Sequence, residues 1–189
     1  MHHIYHTEGF ILKSVNFGEA NKLFFIFTRE FGLIKVTAQG ARLLKSKLRH
    51  NLEDFSFCQI SVVRGREVWR LTSAHSKVSL NLKGEKLFLV SRIFALLMRL
   101  LHGEEKNDFL FDSLKEGIEF LRREEFDLSN FECIWALKIL SSLGYIGNLG
   151  DFNKFTESPY FTADLLDKMS VLKTQAILEI NKSLKETHL

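Results

Sequence analysis

Over the first 80 residues apolar side chains recur at every second position, and from Lys83 onward they recur every three to four. A two-residue repeat can bury one face of a strand and a 3.6-residue repeat one stripe of a helix. The change of period therefore predicts an α+β protein of two modules, strand-rich over 1–80 and all-α over 81–189. A chain of 189 residues with 46% hydrophobic content has the material for two small cores, and disorder is not expected of it.

Five alternating runs fill the first module: Phe10 to Val15, Lys22 to Thr28, Leu33 to Gln39, Phe55 to Val63 and Glu67 to Ala74. Turn-forming residues separate them. Arg64-Gly65-Arg66 reads as a tight hairpin in which Gly65 takes a positive φ, so the fourth and fifth strands should pair antiparallel. The second run is apolar on both faces, with Leu23, Phe25 and Phe27 opposite Phe24 and Ile26, as a barrel strand with a covered outer face would be. Five short strands in this length fit a partly open barrel of the oligonucleotide-binding (OB) type. Strand count alone fits an SH3-like barrel nearly as well.

In the second module Leu87, Val90, Phe94, Leu97 and Leu101 form one helical stripe, widened by Ile93, Leu96 and Leu100, with Arg92 and Arg99 on its polar edge. A second helix is expected from Asn107 or Asp108 through Leu121. The third opens on the capping box Ser129-Asn130-Phe131-Glu132 and stops at Gly144. The last occupies Asp164 or Ser170 through Lys185, after an irregular stretch from Tyr145 to Phe161 that holds the only proline, Pro159.

Charge divides at the same place as period. Residues 1–80 carry 12 Lys and Arg against 6 Asp and Glu, a net +6, whereas residues 81–189 carry 14 against 17, a net −3. Within the basic module, Phe31 to Leu52 holds Lys35, Arg42, Lys45, Lys47 and Arg49 and no acid. A one-sign stretch of this kind either neutralises a polyanion or is a solvated face. Arg64, Arg66 and Arg70, at the hairpin and on the fifth strand, can extend the same groove.

Other chemistries find little footing. Cys58 and Cys133 are too few for a disulfide framework or a four-cysteine zinc site, and a reducing cytoplasm fits them. His2, His3 and His6 have no ligand spacing within one element. The start lacks the pattern of a secretory signal, and Leu87 to Leu101 is too short to span a bilayer and is broken by Arg92 and Arg99. Gly144, Gly147 and Gly150 have no following G-K-[ST], and Ser170 through Lys173 matches S-x-x-K without companion motifs. No enzyme and no cofactor are expected. Most of the 18 phenylalanines, Phe25, Phe27, Phe57 and Phe94 among them, read as structural.

Glu8-Gly9-Phe10-Ile11-Leu12-Lys13, Phe17-Gly18-Glu19-Ala20-Asn21-Lys22, Phe27-Thr28-Arg29-Glu30-Phe31-Gly32 and Ala38-Gln39-Gly40-Ala41-Arg42 follow one another in an order that resembles the amino-terminal domain of the bacterial recombination mediator RecO family. Phe131 through Tyr145, ending in Leu143-Gly144-Tyr145, is similar to a helix of the same family. The resemblance covers nearly the whole chain. It departs after that helix, where many relatives carry a four-cysteine zinc site and this sequence has no cysteine beyond Cys133.

That resemblance implies an OB-fold domain binding single- and double-stranded DNA, annealing of complementary strands, and loading of recombinase onto DNA coated by single-stranded DNA-binding protein. It implies as partners the tail of that protein, met by the helical module, and RecR. Cations available for the tail are Arg92, Arg99, Arg122, Arg123 and Lys138. The expected setting is a cytoplasmic, nucleoid-associated monomer with no membrane contact. Two rival readings stay open: a non-enzymatic protein-interaction adaptor with a solvated basic loop, and an RNA-binding OB-fold protein.

Overall fold

The computed structural model describes residues 3–43, 45–46, 52–80, 82–123, 125–147 and 149–186, and for residues 76–79 and 123 the backbone alone. It divides into two compact units, Met1–Asn81 with Leu101–Lys106, and Leu82–Leu100 with Asn107–Leu189.

The first unit holds β1 (Ile4–Phe17), β2 (Asn21–Thr28), β3 (Gly32–Ala38), β4 (Ser56–Val63) and β5 (Trp69–Ser79). They close a barrel in the order β1-β2-β3-β5-β4. All neighbours are antiparallel except β3 and β5, which run parallel and meet at Val36↔Trp69 and Thr37↔Arg70. This is the OB fold, so the topology decides between the two barrels that strand count left open. Its interior is filled by Ile11, Phe24, Ile26, Ile34, Val36, Cys58, Ile60, Val62, Trp69, Leu71 and Ala74. Tyr5 and Phe31 pack against Trp69 with ring centroids 5.4 and 5.0 Å away.

β1 begins six residues before the alternating run from Phe10 does. Its early part, Ile4 to Phe10, pairs with β4, which supplies ladder partners to the polar His6, Thr7 and Glu8 that break the alternation. Its later part pairs with β2, and the register slips between Ile11 and Lys13, leaving Leu12 as an extra residue. The β4–β5 connection is 64–68, longer than a tight hairpin, and Gly65 does not adopt the expected positive φ. A Cβ there would lie 2.3 Å from the Val68 carbonyl oxygen, so close backbone approach requires the glycine.

Residues 101–106 pack on this unit as a strap. Glu104 accepts the Trp69 indole N–H at 2.8 Å and pairs with Arg64 at 3.1 Å, and Lys106 meets Glu30 at 3.5 Å. Gly32 combines a φ of 64° with the strap backbone, since a Cβ would stand 2.2 Å from the Glu105 carbonyl oxygen.

The second unit comprises α1 (Gly84–Leu100), α2 (Asp108–Arg123), α3 (Leu128–Ser142), the short α4 (Asn153–Thr156) after a 3-10 turn at Gly150–Phe152, and α5 (Ala163–Glu186). α3 touches the other four, so it is buried on every side and shows no single apolar stripe. α1 buries Leu89, Val90, Ile93, Phe94, Leu97 and Leu100, whereas Leu87 is exposed and Leu101 falls outside the helix.

Helix starts follow capping chemistry, though not always at the expected residue. Asn107 caps α2, its Oδ1 accepting the Leu110 N–H at 2.9 Å. The cap of α3 is Asp127 and not Ser129: its carboxylate accepts the N–H groups of Ser129 and Asn130 at 2.8 and 3.2 Å. Those bonds, that to Asn130 foremost, hold the Asp127 carboxyl below its usual range, helped by Lys173 at 3.7 Å. Glu132, expected to complete the box, instead binds Arg92. Ser170 does not start α5 but sits inside it, donating to the Asp167 carbonyl, and Thr162 accepts the Leu165 N–H at the true start. Gly144 ends α3 as expected, with a φ of 76°.

Among the described residues no helix is long and apolar enough to cross a membrane.

Candidate nucleic-acid interface

Registers across the sheet place side chains in rows. Lys13 of β1 pairs with Phe25 of β2, and Phe25 with Lys35 of β3, so the three form one row across three strands. The next row is Val15, Leu23, Thr37 and, across the parallel seam, Arg70 of β5. Their sequence neighbours Phe24, Ile26, Ile34 and Val36 fill the barrel, which puts both rows on its outer face. Lys13, Lys35 and Arg70 are exposed, Val15 is 37% exposed, and Phe17, two positions further along β1, is 53% exposed. Neither row contains an acid.

Lys13 reaches this face because of the bulge. In strict alternation it would point the same way as Ile11, into the core, and the extra residue at Leu12 turns it outward. Lys13 and Lys35, two strand spacings apart, stand roughly 10 Å from each other at Cα. Neither they nor Arg70 form an ion pair among the described residues. Three unneutralised cations on an apolar floor can hold an anionic chain by its charges while its apolar parts lie on Phe25, Leu23 and Val15.

Of the expected cations, Lys35 and Arg70 thus share a face. Arg42 is exposed in the loop after β3, but its guanidinium donates to the Gly18 and Glu19 carbonyls at 3.2 and 2.9 Å, tying that loop to the β1–β2 turn. It also lines a cleft with Lys22, and the same cleft holds the acids Glu53 and Asp54. Lys45 is exposed on the same loop, and Lys47 and Arg49 lie outside the described residues. Arg64 is engaged with Glu104 and lies 5.3 Å over the Trp69 ring. Arg66 is exposed in the β4–β5 connection. Sequence periodicity missed Lys13, since only the register of the neighbouring strand reveals its direction.

In the helical unit the expected cations are largely spoken for. Arg92 makes a bidentate pair with Glu132 at 2.7 and 2.5 Å, Arg99 donates to the Leu184 carbonyl at 3.1 Å, and Arg122 meets Glu119 at 3.0 Å. Lys138 is not available to a partner at all: it is fully buried on α3, donates to the Ser158 carbonyl and lies 5.0 Å from the Phe161 ring. Burial brings its amine down to about 8. An apolar groove between α1, α3 and α5, lined by Ile93, Leu96, Ala136, Ile180 and Leu184, has Arg92 and Glu132 at its rim.

Both cysteines are buried, and burial pushes the Cys58 thiol up to about 12 and raises that of Cys133, which disfavours the nucleophilic thiolate. Among the described residues no three His, Cys, Asp or Glu side chains come together as a metal site, and His6 Nδ1 is hydrogen-bonded to the Ser61 hydroxyl at 2.9 Å.

Residues 1–80 match the family model for the N terminus of recombination protein O, and residues 81–150 that for its C terminus. Among curated proteins, the chain is 27% identical to the DNA repair protein RecO of Alkaliphilus metalliredigens, over 73% of this chain and 57% of that protein. It is 28% identical to the DNA repair protein RecO of Rubrobacter xylanophilus, over 77% of this chain and 60% of that one. A shorter match, 42% identical over 72 residues, joins it to the DNA repair protein RecO of Gloeothece citriformis, covering 38% of this chain and 25% of the relative. The chain thus spans 60% or less of the length of these relatives.

Proposed function

The chain belongs to the RecO family of DNA repair proteins, and on that premise we propose that it binds single- and double-stranded DNA, anneals complementary strands and helps load recombinase onto DNA coated by single-stranded DNA-binding protein. One observation carries the DNA reading: Lys13, Lys35 and Arg70 stand on the outer face of an OB barrel with no ion-pair partner among the described residues, around an apolar floor and without an acid in either row.

The mechanism is electrostatic. Each cation that meets a phosphate releases condensed counterions and lowers the repulsion a second backbone would feel on approach. Because the binding face is the outer surface of the barrel and not a closed channel, a strand lying on it keeps its far side free for a complementary strand. No covalent step is required, so the role is that of a mediator and not an enzyme. Its place is with the DNA, in the cytoplasm at the nucleoid.

For the protein partners, the apolar groove of α1, α3 and α5 is the seat we assign to the tail of the single-stranded DNA-binding protein, with RecR meeting another surface. Arg92 would have to exchange Glu132 for the tail's carboxylates. Retention of a tail peptide by the intact chain, lost in Ala136→Glu, is the expected result, and no retention at low salt removes this part of the proposal alone.

The DNA part is tested by anisotropy of labelled single-stranded DNA against salt, for the wild type and for Lys13, Lys35 and Arg70 each changed to Glu in one chain. The wild type should show a steep negative slope of log affinity on log salt. The variant should lose about 0.7 of slope per phosphate contact removed, roughly 2 in all. Equally weak, flat binding by both proteins would refute it and favour the protein-interaction adaptor.

A further inference from the structure

We propose that Phe25 is a base-stacking platform, and that through it the outer face of β1–β3 selects single-stranded DNA over duplex. This rests on the DNA reading of that face and adds a discriminating residue to it.

Phe25 sits at the centre of the sheet's outer face, half-buried, between Lys13 and Lys35. The core has no need of it, because Phe24 and Ile26 on either side of it in sequence supply the barrel filling of β2. Nor do the flanking lysines occupy its ring. Lys22 lies over Phe24 at 5.8 Å and Arg92 over Phe88 at 4.8 Å, whereas among the described residues no cation lies over Phe25. A half-buried ring with no cation over it among the described residues, and a lysine in the same row on either side, matches the repeat of a single strand: an unpaired base against the ring, and phosphates before and after it on the two lysines. Val15 and Leu23 extend the apolar floor into the next row, and Phe17 offers a second exposed ring beyond it.

A duplex cannot use the ring. Its base faces are already stacked on each other, so it can engage the lysines and Arg70 but not Phe25. The cations thus supply affinity common to both forms, and the ring adds affinity for one of them without reading sequence, since every base has a π-face.

The test measures binding of a labelled thymidine oligonucleotide and of a duplex of equal length, for the full chain, Phe25→Ala, Phe25→Leu and Phe25→Trp. Thermal unfolding shows whether each variant is folded, and leucine keeps the apolar bulk should alanine not. Phe25→Ala should weaken single-strand binding roughly 5- to 150-fold and Phe25→Leu should weaken it in the same direction, both leaving the salt slope unchanged and the duplex within about twofold. Phe25→Trp should keep single-strand affinity, and its fluorescence should be quenched by the oligonucleotide but not by the duplex. Both native tryptophans, Trp69 and Trp135, are buried, and a parallel titration of the wild type subtracts their signal. If Phe25→Leu binds both forms as the wild type does, or weakens both equally, stacking is overturned. In that event, loss of binding in the Lys13, Lys35 and Arg70 variant still upholds the DNA reading, and its absence overturns both.

Discussion

Lys138 is the residue whose energetics can be worked most directly from its surroundings. It is fully buried on the central helix, with the Ser158 carbonyl and the face of Phe161 in place of water, and its amine falls from the ordinary 10.5 to about 8. Below pH 8 it is charged in both the folded and the unfolded chain, and the folded state carries the whole cost of burying that charge. Between 8 and 10.5 the unfolded chain still holds a proton that the folded chain has released, so stability rises with pH across this window. A shift of that size corresponds to about 3 kcal/mol. Lys138→Met keeps the length and removes the charge, so its stability should lack this rise. The assay is urea unfolding of both proteins at several pH values, followed by circular dichroism in the helix band. Subtracting the variant's profile removes the other groups that titrate in the same range. The advantage of Met over Lys should be largest below pH 8 and shrink by about 3 kcal/mol toward pH 10.5. A difference that stays flat over that range would refute the reasoning, since it would mean that the amine is solvated and titrates normally.

Two further substitutions follow from backbone geometry. Asp127→Ala removes the cap of α3 and should cost about 1 kcal/mol in urea unfolding, while Ser129→Ala should cost much less, although Ser129 opens the capping box in sequence. Gly32→Ala meets both a φ of 64° and a strap carbonyl oxygen 2.2 Å away, so a loss of at least ~2 kcal/mol and a lowered thermal midpoint are expected.

What the sequence made legible is what depends on local chemistry. The shift of period near residue 80, the five strands, Asn107 as a cap and Gly144 as a stop all follow from side chains within a few positions of one another. What it hid depends on the partner. Leu12 is extra only because β2 supplies one residue where β1 supplies two, so the direction of Lys13 is a property of the pair and not of β1. The capping box failed similarly: Glu132 has a stronger partner in Arg92 on α1, and Asp127, with a carboxylate, outcompetes the Ser129 hydroxyl as the acceptor at the helix start. Arg64 and Arg42 read as cations available to a polyanion until the strap and the β1–β2 turn are placed beside them. Lys138 read as a surface cation because nothing local shows that α3 is surrounded.

The barrel's two long-range closures are unequal. β1 and β4 join over seven residue pairs, while β3 and β5 meet over two, helped by the Thr37 hydroxyl on the Trp69 carbonyl at 3.1 Å. The barrel is therefore a three-stranded meander and a hairpin, firmly hinged on one side and latched on the other. Breathing motions open the side with the fewest bonds at least cost, so amide exchange in the barrel is expected to be fastest along that latch. Arg70 stands on one side of it and Lys35 on the other. A polyanion bridging those two cations would hold the latch shut, so occupancy of the face and rigidity of the barrel rise together.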